Sequence, residues 1–267
     1  MKFCLNHMTA PNLDWQAFLD LAIEVGATGI EFRNDLSIPL FSGENSKTIG
    51  AAVKASGLTL YGLSQVYPFN DFSDEIAMAV SSLIDIAKRC GAPAISLIPR
   101  NDGIGLEAGI RQQTLRQALQ NIKPMLDGTG IIGLIEPLGF ERSSLRSKRE
   151  AIDAIESVNG EAVFKLVHDT FHHHLAQETE FFPSHTAMVH VSGVVDTRLD
   201  LRDMEDAHRV LVNEADRLGN LAQLKTLRKL GYDGPISMES FSPEIHRASD
   251  ISNQIRASFE FLKKADS

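Results

Sequence analysis

Short apolar runs and helix-patterned stretches alternate along the chain, and they do so eight times. The runs fall at residues 2–6, 29–33, 58–63, 94–98, 131–136, 163–169, 187–191 and 235–239. Each is five to seven residues long and bounded by turn residues, as a buried parallel strand would be. Between them, residues 14–25 carry Trp15, Phe18, Leu19, Ala22 and Ile23 at helical spacing. Further helices are expected at 46–56, 74–90, 106–126, 147–158, 221–230 and 250–264, with a short helical start at 172–177. Ser73 reads as an N-cap, and Gly26, Gly57 and Gly91 as stops. Uninterrupted alternation implies a parallel sheet with right-handed crossovers. Eight units close most simply into a (β/α)₈ TIM barrel, a single domain over residues 1–267. An open doubly wound sheet would call for a glycine-rich loop after the first strand, and Asn6-His7-Met8-Thr9-Ala10 has none.

A barrel brings the C-terminal ends of its strands to one mouth, where catalytic groups gather. Four of the runs carry, at or one residue before their ends, residues that can bind a metal: Glu136, Asp169, His190 and Glu239. Any one of them has an ordinary reading. Glu136, directly before Pro137, suits a strand-end surface carboxylate; Asp169 suits a helix N-cap; His190 suits a satisfied core histidine. Their coincidence at four strand ends argues for a common site. Three carboxylates packed together repel one another unless a cation lies between them. One imidazole with three carboxylates suits one divalent ion, Mn²⁺, Mg²⁺, Co²⁺ or Zn²⁺. Such an ion polarises a carbonyl and its neighbouring hydroxyl, and Glu136 and Glu239 are then placed to exchange protons with substrate carbons. In His172-His173-His174, not all three rings can face one point; the offset from Asp169 favours His172 as a site residue.

Composition narrows the function classes. The net charge of −9 argues against a nucleic-acid footprint, which is normally basic. Two cysteines, Cys4 and Cys90, exclude a disulfide framework and favour a reducing compartment. No apolar run approaches the ~20 residues that span a bilayer, and residues 1–7 are too short an apolar stretch for a signal peptide. The expectation is a cytoplasmic protein with no membrane or nucleic-acid partner, for which a homo-oligomer is compatible. The charged segment 196–220 is expected to be a loop or lid over the mouth.

Glu31-Phe32-Arg33, Glu136-Pro137-Leu138-Gly139-Phe140, the stretch from Leu166 through Asp169-Thr170-Phe171-His172-His173-His174, His190, and Ser237-Met238-Glu239-Ser240-Phe241-Ser242-Pro243-Glu244 span nearly the whole chain. At these residues the sequence resembles the xylose-isomerase-like family of sugar isomerases and epimerases, and within it the inosose isomerases of inositol catabolism. The resemblance implies Glu136, Asp169, His190 and Glu239 as metal ligands and Glu136 and Glu239 as the acid/base pair. It also implies substrate contacts for His172, Arg33 and Arg209. The family's Pro-Gly-x-Gly stretch before the seventh helix is replaced here by residues 210–219, so the lid differs.

The expected activity is movement of the ketone of an inosose through an enediol, on a neutral polyol substrate. C3 epimerisation of a ketose or dehydration of an inosose would use the same site. A phosphodiesterase like the apurinic endonucleases would want more histidines and a basic groove. A sugar-binding barrel without turnover is the remaining alternative.

Overall fold

The computed structural model describes residues 1–107 and 109–266. Eight strands form a closed barrel in sequence order: β1 (Lys2–Asn6), β2 (Gly29–Arg33), β3 (Thr59–Val66), β4 (Ala94–Leu97), β5 (Ile132–Ile135), β6 (Phe164–Asp169), β7 (Thr186–Val191) and β8 (Pro235–Met238). Every pairing is parallel, and β1 closes the ring on β8 through Cys4 opposite Ser237. The (β/α)₈ expectation holds. The strands are connected by α1 (Trp15–Glu24), α2 (Ser46–Ser56), α3 (Asp74–Cys90), α4 (Ile110–Leu126), α5 (Lys148–Ser157), α6 (Thr170–Leu175) and α7 (Asn220–Lys229); α8 (Pro243–His246) and α9 (Ile251–Leu262) follow β8. Among the described residues, no helix is long and apolar enough to cross a membrane.

Local chemistry accounts for most boundaries. Asp14, Ser73 and Ser147 each accept a hydrogen bond from the first turn of the helix that follows. Gly57 and Gly91 take left-handed conformations that end α2 and α3. Two boundaries depart most from the sequence reading. Helix α4 starts at Ile110, not at 106, because Gly105 and Gly109 have φ of +69° and +89°, which a helix cannot include. Strand β3 runs on to Val66, since Ser64 pairs with Arg33 and Val66 with Leu97.

Two-residue alternation along the strands positions the site. Ala94, Leu134, Val167 and Met188, from four neighbouring strands, pack as one apolar cluster. Two residues beyond Leu134, Val167 and Met188 on the same face stand Glu136, Asp169 and His190. The intervening residues face the helices: His168, for instance, meets Gln223 of α7 at 2.9 Å. The functional side chains therefore sit on an apolar plug, out of bulk water.

Candidate metal centre and active site

Glu136, Asp169, His190 and Glu239 each offer one ligand atom, and these atoms all lie within 4.8 Å of one another. All four residues are buried. His190 is fixed from behind. Its Nε2 lies 3.3 Å from Oε1 of Glu31, itself buried on β2 and contacted by Asn6 Nδ2 at 3.4 Å. With Nε2–H donated to Glu31, Nδ1 turns towards Glu136 Oε1 at 3.4 Å and Glu239 Oε2 at 3.3 Å. Nδ1 is buried and, among the described residues, has no hydrogen-bond partner. A bare lone pair facing two carboxylates is repulsive, so a cation or a proton belongs there. Burial alone would lower the His190 pKa, yet Glu239, Glu31 and Glu136 hold it well above its ordinary value. The orphaned nitrogen and the three convergent carboxylates fit a divalent metal with hard and borderline ligands.

The repulsion among the carboxylates is relieved in part by protein cations, which the strand-end argument did not foresee. Arg209 Nη2 donates to Asp169 Oδ2 at 2.6 Å and to Glu239 Oε2 at 2.9 Å. Arg33 Nη1 donates to Glu239 Oε1 at 2.6 Å. Asp169 Oδ1 accepts the amides of Phe171 (2.7 Å) and His172 (3.0 Å), so the residue is both a member of the cluster and the N-cap of α6. Among the described residues, no arginine pairs with Glu136. Burial, and then the charges of Glu239 and Asp169, push its carboxyl upward against the pull of His190. Burial would raise Glu239 too, but His190, Arg209 and Arg33 outweigh it and hold that carboxyl well below the usual range. Two carboxylates in one site are thus driven apart in proton affinity, the pattern of an acid/base pair.

A cavity of ≈ 270 Å³ opens above the cluster, with Glu136, Glu239, His172, Arg33 and Arg209 in its wall. His172 and His173 face different surroundings. His172 reaches the cavity, its ring against Phe140 and Phe171, and its Nδ1 is buried without a hydrogen-bond partner among the described residues. His173 turns away, 2.9 Å from Lys148 Nζ and packed on His168 and Phe181. Helix α6 comes this close because residue 139 is glycine: a Cβ there would lie 2.4 Å from the His172 carbonyl oxygen. That explains the glycine in Glu136-Pro137-Leu138-Gly139.

Arg33 and Arg209 are in the wall, but each is already engaged. Arg33 forms a bidentate pair with Asp35 (2.9 and 2.7 Å) besides its bond to Glu239. Arg209 also holds Asp206 at 3.1 Å and Ser192 at 2.9 Å. Arg209 comes from segment 196–220, which carries short 3₁₀ turns at Leu201–Asp203 and Asp206–His208 and is tied back by a bridge between Gly193 and Val210. Glu31, Asp35 and Asn101 were missed by sequence reasoning. Glu31 had a signal: two charged residues, Glu31 and Arg33, share one face of an otherwise apolar strand.

Comparison with known proteins identifies the family. A family model described as xylose isomerase-like TIM barrel matches residues 19–265. No curated protein matches the chain. Among solved structures, a xylose isomerase domain containing protein from Salmonella typhimurium LT2 is 31% identical with a TM-score of 0.91, over 98% of this chain and 97% of that one. The IOLI protein with a bound zinc atom is 18% identical with a TM-score of 0.87, over 99% of this chain and 98% of that one. D-Psicose 3-epimerase from Clostridium cellulolyticum H10 is 14% identical with a TM-score of 0.74, over 99% of each chain. At those last two identities the likeness is one of fold. On the family match over nearly its whole length, this chain belongs to the xylose isomerase-like TIM barrel family.

Proposed function

We propose that the protein is a metal-dependent isomerase that moves the ketone of a neutral cyclic polyol, an inosose, by one carbon. The observation that carries this reading is the unequal pair in the cavity wall: Glu136 held by no arginine, Glu239 held by two. A divalent ion, Mn²⁺, Mg²⁺, Co²⁺ or Zn²⁺, held by Glu136, Asp169, His190 and Glu239, would polarise the ketone and its neighbouring hydroxyl. Glu136 takes the proton from the carbon that bears that hydroxyl, and the carbonyl oxygen gains a proton, giving an enediol. Return of a proton to the former carbonyl carbon, with loss of the other hydroxyl proton, completes the shift with no change in composition. Glu239 is the second proton carrier. His172, Arg33 and Arg209 orient substrate oxygens, and the apolar floor keeps water from the enediol.

Several features support a neutral substrate. Both cavity arginines are already neutralised by Asp35, Glu239, Asp206 and Asp169, so a phosphate dianion would meet little uncompensated positive charge there. The zinc-bound IOLI protein among similar structures supports the metal. Neighbours named D-psicose 3-epimerase and L-ribulose 3-epimerase support a second reading, in which the proton returns to the opposite face of the same carbon. Cys4 and Cys90 are both free and buried, which supports a cytoplasmic setting. The test is incubation of metal-loaded protein with inososes and ketoses in D₂O, read by proton NMR. Deuterium at one carbon with ketone migration is expected. Deuterium with inversion and no migration would favour the epimerase, and no exchange into any of them would refute proton transfer.

A further inference from the structure

Most polar side chains in the cavity wall are already engaged. Arg33, Asp35, Asp206, Arg209 and Glu239 are joined in ion pairs, and the Asn101 oxygen is buried. Glu136 belongs to the ligand cluster, and His172 to the opposite face of the wall's acidic groups. That leaves Gln65 and Tyr67, two neutral groups at the end of β3. Both are open to a ligand: Tyr67 is 45% exposed and Gln65 is half-buried, while Val66 between them is buried against the sheet. β3 stands four places round the ring from β7, which carries His190, three from β6 and β8, and two from β5. The pair is therefore set across the mouth from the centre of the ligand cluster.

Bonding fixes which atom each side chain presents. A carboxylate only accepts, so the Gln65 amide nitrogen is the atom that meets Asp35 Oδ2, at 3.1 Å. The oxygen on the other branch of that planar amide has no hydrogen-bond partner among the described residues and is not buried. Tyr67 Oη accepts the Asn101 amide at 3.3 Å, so its own proton is free to be donated. The backbone beneath them is held. Gln65 gives its amide to Asn34 Oδ1 at 2.8 Å and accepts Asn34 Nδ2 on its carbonyl at 3.1 Å, and the Val66 carbonyl accepts from Ile98 at 3.0 Å. A fixed acceptor beside a fixed donor matches a hydroxyl, which offers one proton and two lone pairs. A methylene would use neither group, and a carboxylate would set oxygen against the Gln65 oxygen.

We propose that Gln65 and Tyr67 together read one substrate hydroxyl, Gln65 Oε1 accepting its O–H and Tyr67 donating to its oxygen, and that this hydroxyl is not one of the oxygens held by the metal. The inference rests on the polyol reading above and deepens it: one further hydroxyl, on the β3 side, sets which polyol ketones bind well.

The experiment uses metal-loaded, full-length protein as wild type, Gln65→Met and Tyr67→Phe. KM and kcat are measured on the ketone that exchanges fastest in the D₂O experiment, 2-keto-myo-inositol on the reading above, and on its monodeoxy analogues. Each variant should raise KM for the full polyol about tenfold and change kcat less than about threefold, because the contact is made alike in ground and transition states. One analogue, the one without the recognised hydroxyl, should show the same KM in wild type and in both variants, with metal content unchanged. A merely structural defect would not single out that analogue. If either variant handles the full polyol as wild type does, if a variant weakens every analogue alike, or if the two variants spare different analogues, the assignment is wrong while the polyol reading stands. If wild type exchanges deuterium into none of the ketones, the polyol reading fails and the assignment falls with it.

Discussion

One nitrogen of Arg209, Nη2, bonds both Asp169 at 2.6 Å and Glu239 at 2.9 Å, so a residue from the segment after β7 ties together the ends of β6 and β8. Removing it leaves two buried carboxylates short of a partner. Arg209→Met should therefore cost about 3–5 kcal/mol in denaturant unfolding of metal-free protein. The loss should be smaller after loading with a divalent ion, which supplies counter-charge. A loss below about 1 kcal/mol without metal would show that the clamp contributes little.

Glu31 controls which nitrogen of His190 faces the cluster. Glu31→Gln keeps an acceptor for Nε2–H but removes the charge that makes the ring a stronger ligand. Divalent-metal affinity, measured by competition with a fluorescent chelator, should fall about tenfold to a hundredfold. Unchanged affinity would remove Glu31 from the site.

The histidine run gives a matched pair. His172→Ala should leave metal content near normal and lower kcat/KM by at least about tenfold, since its ring lines the cavity. His174→Ala, on the same helix and only partly buried, should be milder. A larger defect in His174→Ala would mean that the wrong ring has been assigned.

His7 provides a pH test away from the cluster. Its ring stacks on Phe18 at 4.2 Å, with Nε2 at 3.0 Å from the Leu13 carbonyl oxygen. Burial lowers its pKa from 6.5 to about 4, against that hydrogen bond. The folded state thus resists protonation. Its contribution is complete above pH 6.5 and is lost as the pH falls from there towards 4, by an amount on the order of 3 kcal/mol. Denaturant unfolding of wild type and His7→Gln across that window should show the steeper loss in wild type. Parallel curves would contradict the assignment.

Much of this was legible in the sequence because barrels impose alternation. Glu136, Asp169 and His190 follow an inward apolar residue by two positions, and strand-end reasoning groups them with Glu239, which follows the serine at 237 by the same spacing. His172 was found by its offset from Asp169, which places it in the first turn of α6. Asn101 and Asp35 lie in loops, where no period marks a facing direction. The engagement of Arg33 and Arg209 with Asp35 and Asp206 depends on how segment 196–220 folds back through its bridge at Gly193, a tertiary contact with no local signature. The late start of α4 could have been read from the glycines at 103, 105 and 109, which crowd the approach to the expected helix and its first turn.

The account rests on a cation between Glu136, Asp169, His190 and Glu239. Its most direct test is elemental analysis of protein purified without chelator, on wild type and on Glu136→Gln and Glu239→Gln, with turnover assayed on the same samples before and after chelation. The prediction is one divalent ion per wild-type chain, loss of activity on chelation with recovery on adding metal back, and lowered occupancy or abolished turnover in each variant. Full activity in thoroughly chelated wild type, or in either glutamine variant, would contradict it.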